Sequence, residues 1–124
     1  MAKPVIVLVD DDPHHVELLQ TYLEAKGCEV HTGFDGYAAL KLSREHRPDV
    51  LILDVDMPGM GGTEVLENLR GDKDMEMIPV IMLTGVVSAD IYPVIESMPR
   101  VSHIKKPVEL EDLYSMVEHY LPKT

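Results

Sequence analysis

Several polar side chains stand where apolar runs stop. Asp10 and Asp11 follow Val5-Ile6-Val7-Leu8-Val9, and Asp54 follows Val50-Leu51-Ile52-Leu53. Thr84 follows Val80-Ile81-Met82-Leu83, and Lys106 follows the short strand-like segment from Val101 to Lys105. If Asp10, Asp11 and Asp54 meet, their charges repel. Either one or more of them is protonated or a cation sits among them. Oxygen-only donors favour a hard cation, and Mg²⁺ typically binds through one or two carboxylates together with waters and a phosphate. Lys106 adds a fixed positive charge, and Thr84 adds a hydroxyl that can donate a hydrogen bond. A carboxylate nucleophile, a divalent cation, a lysine and a hydroxyl are the parts that phosphoryl transfer needs. Its catalysis is mostly positioning and neutralisation of the phosphoryl oxygens.

These residues meet only if the elements before them lie side by side. The continuous apolar runs read as strands buried on both faces. Cys28, Val30 and Thr32 alternate with polar residues, as in a strand nearer a sheet edge. Between the strands lie helical patterns. Asp12 is placed to cap the first helix with Pro13 at its first position, Val16, Leu19 and Leu23 fall at helical spacing, and Gly27 ends it. After the turn Gly33-Phe34-Asp35-Gly36, Tyr37 to Glu45 reads as a second helix, closed before Pro48. Met57-Pro58-Gly59-Met60-Gly61-Gly62 reads as a loop, and Thr63 is placed to cap a third helix that Gly71 ends. Ser88 to Met98 is a weaker fourth helix containing Pro93, and Glu109 to Leu121 is an amphipathic fifth.

Alternation of this kind predicts one α/β domain over residues 1–124: a doubly wound, five-stranded parallel sheet with five helices. In such sheets ligands bind at the carboxyl ends of the strands, where the strand order reverses. For the order 2-1-3-4-5 that point lies between strands one and three, where Asp10, Asp11 and Asp54 converge.

Composition sets bounds on the function. A chain of 124 residues is long enough to bury a sizeable core. The formal net charge of −11 speaks against direct nucleic-acid binding, which usually needs a basic face, and suits a metal and protein partners. The lone Cys28 has no thiol to pair with and reads as a small buried apolar side chain in a cytoplasmic protein. No apolar run approaches the roughly 20 residues needed to cross a bilayer, and no signal-peptide pattern opens the chain.

Four motifs, in order, carry a family resemblance over almost the whole chain. They are Val9-Asp10-Asp11-Asp12-Pro13, Leu53-Asp54-Val55-Asp56-Met57-Pro58-Gly59-Met60-Gly61-Gly62, Leu83-Thr84-Gly85 and Lys105-Lys106-Pro107. The sequence resembles the receiver domains of two-component response regulators, with the flavodoxin-like fold. The resemblance implies that Asp54 accepts a phosphoryl group from a histidine kinase or phosphotransfer protein. It implies Mg²⁺ bound by Asp10, Asp11, Asp54 and the backbone carbonyl of Asp56. It implies that Lys106 binds a phosphoryl oxygen, that the Lys106-Pro107 peptide is cis, and that Thr84 moves to the phosphoryl group. That movement would draw a switch residue inward and remodel the face of helix four, strand five and helix five. A downstream protein or effector domain would read this face, which also offers a route to a homodimer. The sequence departs from the family at the switch position, where His103 replaces the usual aromatic, and in the proline-containing segment from Ile91 to Pro99.

Plainer readings accompany these. Asp12 is a helix cap. His14 and His15 adjoin the acids and raise a transition-metal reading, but solvated histidines in a first helical turn are the expectation, since no cysteine or spaced histidine pair supports a site. His31, His46 and His119 read as surface residues, and the methionines mostly as core filler. Two other functions are weighed. A phosphatase with an aspartyl nucleophile at Asp54 lacks a cap and a later acidic motif, and would turn over phosphate esters. A module that signals without phosphorylation would not need the complete acidic set.

Overall fold

A computed structural model describes residues 3–85, 93 and 97–122. The strands are β1 (Val5–Val9), β2 (Glu29–Gly33), β3 (Val50–Asp54), β4 (Val80–Thr84) and β5 (Val101–Lys105). They form one parallel sheet in the order β2-β1-β3-β4-β5. Four helices occur among the described residues: α1 (Pro13–Ala25), α2 (Gly36–His46), α3 (Gly62–Arg70) and α4 (Leu110–Tyr120). The last is the fifth helix of the sequence-based order. The helix expected over Ser88 to Met98 lies largely outside the described residues.

Each apolar run feeds both faces of the sheet, because strand side chains alternate. Val7, Val9, Leu51, Leu53, Val80 and Met82 pack with Ala39 of α2 and with Val65, Leu66 and Leu69 of α3. Ile6, Leu8, Val50, Ile52, Ile81 and Leu83 pack on the other side with Val16, Leu19 and Leu23 of α1 and with Leu113 and Val117 of α4. Full burial of each such side chain contributes about 1.5–3 kcal/mol. These two layers hold the carboxyl ends of β1, β3 and β4 in line.

The helix starts follow local chemistry. Asp12 accepts a hydrogen bond from the His14 amide at 3.0 Å, and Pro13 opens α1. Asp35 caps α2 through the Ala38 amide at 2.8 Å. Gly27, at φ +94°, follows the end of α1 in a left-handed conformation that suits glycine.

Several expectations are corrected. Thr63 does not cap α3. The cap position is Gly61 and the helix already includes Gly62, because a Cβ at Gly62 would lie 2.8 Å from both the Asp54 carbonyl and the Val55 Cα. Only glycine lets the helix begin this close to the end of β3. Cys28 is buried but precedes β2. His31 and His46 are half-buried rather than plain surface residues: their rings stack at 3.6 Å, with His31 also 2.8 Å from Glu29. Met77 is exposed, whereas Met57, Met60, Met75 and Met82 are buried.

Candidate functional site

Register brings the site together. Val9 pairs with Leu53, so the residues after them, Asp10 and Asp54, emerge side by side at the carboxyl edge. Thr84 pairs with Lys105 one strand further out, and the Lys106 amide donates to the Thr84 carbonyl at 2.8 Å. Both β1 and β3 are central, so their terminal carboxylates are inside the protein: Asp10 is 0% exposed and Asp54 2%. Asp11, one residue further along, is exposed.

Carboxylate oxygens of Asp10, Asp11 and Asp54 lie within 4.8 Å of one another. The Lys106 ammonium closes the pocket, with Nζ 3.0 Å from Asp54 Oδ2 and 3.3 Å from Asp10 Oδ2. The remaining oxygens are held by local turns. The Asp12 amide donates to Asp10 Oδ1 at 3.0 Å, and the Asp56 amide donates to Asp54 Oδ1 at 3.1 Å. A hard cation fits this donor set, because the oxygens converge, no sulfur ligand joins them among the described residues, and Asp11 opens to solvent.

Electrostatics separate the two buried acids. Burial is the largest influence on Asp54 and pushes its carboxyl up. Lys106 opposes the rise, the negative Asp10 adds to it, and the outcome is a pKa of about 6. Burial also acts to raise Asp10, but His15, the Asp12 amide and Lys106 outweigh it and hold Asp10 below the usual carboxylate range. Burial acts to lower Lys106, yet Asp54 and Asp10 more than compensate, and its pKa is raised. Lys106 is therefore a fixed cation. Of the two buried acids, Asp54 takes up a proton more readily than Asp10.

The other expected residues take varied places. Thr84 is fully buried, and its hydroxyl reaches the Ile104 carbonyl of β5 at 3.5 Å instead of the acidic pocket. His103 is half-buried in β5, in register with Met82. Asp56 is exposed, just beyond Asp54 in the chain. The Lys106-Pro107 peptide is cis, as the resemblance implied.

One residue of the site runs against the sequence reading. His15 is not a solvated histidine: its Nδ1 lies 2.6 Å from Asp10 Oδ2. The signal for it was spacing, since a residue early in the first turn of α1 lies directly above the end of β1. His14 is exposed, as expected.

Fold and site together define a doubly wound α/β protein with an acidic pocket that could hold a cation, closed by a lysine, at its topological switch point. Comparison with known proteins makes this more specific. Residues 6–118 match the family model of the response regulator receiver domain. The polar-differentiation response regulator DivK of Brucella anthropi is 31% identical over 121 residues, covering 98% of each chain. The chemotaxis protein CheY4 of Vibrio cholerae is 29% identical, with a TM-score of 0.88 over 97% of this chain and 100% of that one. A receiver domain of a signal transduction histidine kinase from Syntrophus aciditrophicus is 31% identical, with a TM-score of 0.86 over 95% of this chain and 89% of that one. The chain belongs to the response-regulator receiver family, and its function is that of a two-component receiver.

Proposed function

We propose that Asp54 is the phosphoryl acceptor of this receiver. The observation that carries the reading is the Lys106 Nζ to Asp54 Oδ2 contact of 3.0 Å inside a pocket shared with Asp10 and Asp11. An Asp54 carboxylate oxygen attacks the phosphorus of a phosphohistidine on a kinase or phosphotransfer protein. The new O–P bond forms as the P–N bond breaks, and the imidazole leaves with its electron pair. Mg²⁺, held by Asp11 and Asp54 with Asp10 and the Asp56 carbonyl, would neutralise phosphoryl charge when bound. Lys106 exchanges its contact with Asp54 for one with a phosphoryl oxygen. Water later attacks the phosphorus and returns the free carboxylate. The protein is thus a switch whose only catalysis is its own phosphotransfer and dephosphorylation.

Thr84 would break its long bond to the Ile104 carbonyl and turn its hydroxyl toward the phosphoryl group, with His103 following as the switch residue. The described part of the resulting output face is β5 and α4. Its partner would be a downstream protein, an effector domain or a second copy of the chain. The single-domain reading of residues 1–124 and a cytoplasmic location belong to the same proposal. None of the described helices is long and apolar enough to cross a membrane.

Intact mass after incubation with acetyl phosphate and Mg²⁺ tests the reading. One phosphoryl group should be gained by the wild type and none by Asp54→Asn. Phosphorylation of the Asn variant would remove Asp54 from the role. Steady phosphate release without a stable adduct would favour a phosphatase.

A further inference from the structure

We infer that His15 is a positioning residue of the acidic pocket: it holds Asp10 in one orientation for the cation and leaves Lys106 to Asp54. The inference deepens the receiver reading above and rests on it. His15 Nδ1 is 2.6 Å from Asp10 Oδ2, and the two side chains are 18% and 0% exposed. An ionised carboxylate only accepts hydrogen bonds, so Nδ1 carries the hydrogen and donates it. The ring is presented by a defined piece of backbone. His15 is the third residue of α1, and the start of that helix is set by the Asp12 cap and by Pro13.

The consequence lies in how the donors are shared. Asp10 Oδ1 takes the Asp12 amide, and Oδ2 takes both His15 and, at 3.3 Å, Lys106. Lys106 lies closer to Asp54, at 3.0 Å. Without His15, Lys106 would be the cation left on Oδ2 of this fully buried carboxylate among the described residues, and it would be drawn from Asp54 toward Asp10. With His15 in place, Asp10 has a donor on each oxygen without Lys106. Its carboxylate then cannot turn, and the lysine remains on the side where a phosphoryl group would be built. Partners that orient a metal-binding carboxylate in this way commonly alter metal affinity by about 10–100-fold when removed.

The test uses the full chain as wild type, His15→Leu and His15→Asn. The asparagine amide can replace the Nδ1–H donor, whereas leucine keeps bulk without a donor. Mg²⁺ titration followed by amide NMR shifts should give an affinity about 10-fold weaker for His15→Leu and near wild type for His15→Asn. Equal affinity in wild type and His15→Leu overturns the inference, as does an Asn variant as weak as the Leu variant. A second reading needs no folded Leu variant. A long-range ¹H–¹⁵N spectrum of the wild-type imidazoles at about pH 8, above the usual histidine range, should show the Nδ1–H form for the resonance that His15→Asn removes. An Nε2–H form overturns it. Acetyl phosphate labelling of the wild type separates the two ideas. No label together with His15-dependent Mg²⁺ binding rejects the acceptor chemistry and keeps the role of His15. Normal label with His15-independent binding does the reverse.

Discussion

Asp54 in the metal-free protein lies between a like charge, Asp10, and an opposite one, Lys106, with almost no water. Burial sets the sign of the outcome: its pKa rises from 3.8 to about 6. The folded state then holds a proton that the unfolded state has released between those two values. This stabilising contribution is complete below the unfolded pKa and is lost as pH rises through about 6. In EDTA, the difference in stability between Asp54→Asn and wild type should therefore grow with pH across this window. Above pH 7 the difference should have moved in the variant's favour by on the order of 3 kcal/mol relative to its value below the unfolded pKa. Urea unfolding of both proteins at several pH values measures it; a difference that stays flat with pH would show that Asp54 is not strained by burial. Lys106→Ala acts in the opposite direction. It leaves Asp10 and Asp54 buried with less compensation, and metal-free stability at neutral pH should fall by about 1–3 kcal/mol, less than for a fully buried pair because the lysine is 29% exposed. An unchanged urea midpoint would mean that solvent screens the trio.

Elements set how well these residues can be held. The start of α3 is pressed against the end of β3 at Gly62, where an added Cβ would meet backbone atoms at 2.8 Å. Gly62→Ala should destabilise by roughly 1–3 kcal/mol and shift the amide resonances of Asp54 and Asp56. Full stability with unmoved resonances would show that the helix can slide away from the strand. Asp35→Ala removes the cap of α2, with an expected loss of about 1 kcal/mol and no effect on Mg²⁺ affinity. Helix starts were only partly legible in the sequence. Asp12 was readable because side-chain caps have a chemical signature, whereas Asp35 was read only as part of a turn and its cap of α2 came from the structure. Gly61 was not, because Thr63 carries the same signature two residues later and only the packing of Gly62 on Asp54 decides between them.

At the scale of the whole molecule, a cation held in the pocket would couple binding to folding. Asp10 and Asp11 are neighbours, but Asp54 comes from a segment far along the chain, so an unfolded chain holds no such site. Mg²⁺ at about 100 times its dissociation constant should stabilise the wild type by about 2.7 kcal/mol. The gain should be largely absent in Asp11→Asn, and thermal or urea unfolding with and without Mg²⁺ reads both. Equal stabilisation of wild type and variant would indicate general screening of the net charge of −11 instead of a site.

Sequence alone was enough for the carboxyl ends of β1, β3, β4 and β5, and with them the convergence of Asp10, Asp11, Asp54 and Lys106. Apolar runs buried on both faces have sharp boundaries, and a parallel sheet places their carboxyl ends on one edge. The tertiary structure decided what spacing does not encode, namely where side chains turn once neighbours from other elements arrive. It turned His15 onto Asp10, turned the Thr84 hydroxyl to the Ile104 carbonyl, and brought His31 and His46 together from a strand and a helix. Each of these contacts depends on rotamers and packing across elements. A period of apolar residues fixes which face of an element is buried, but it leaves the direction of the polar groups at its ends to their surroundings.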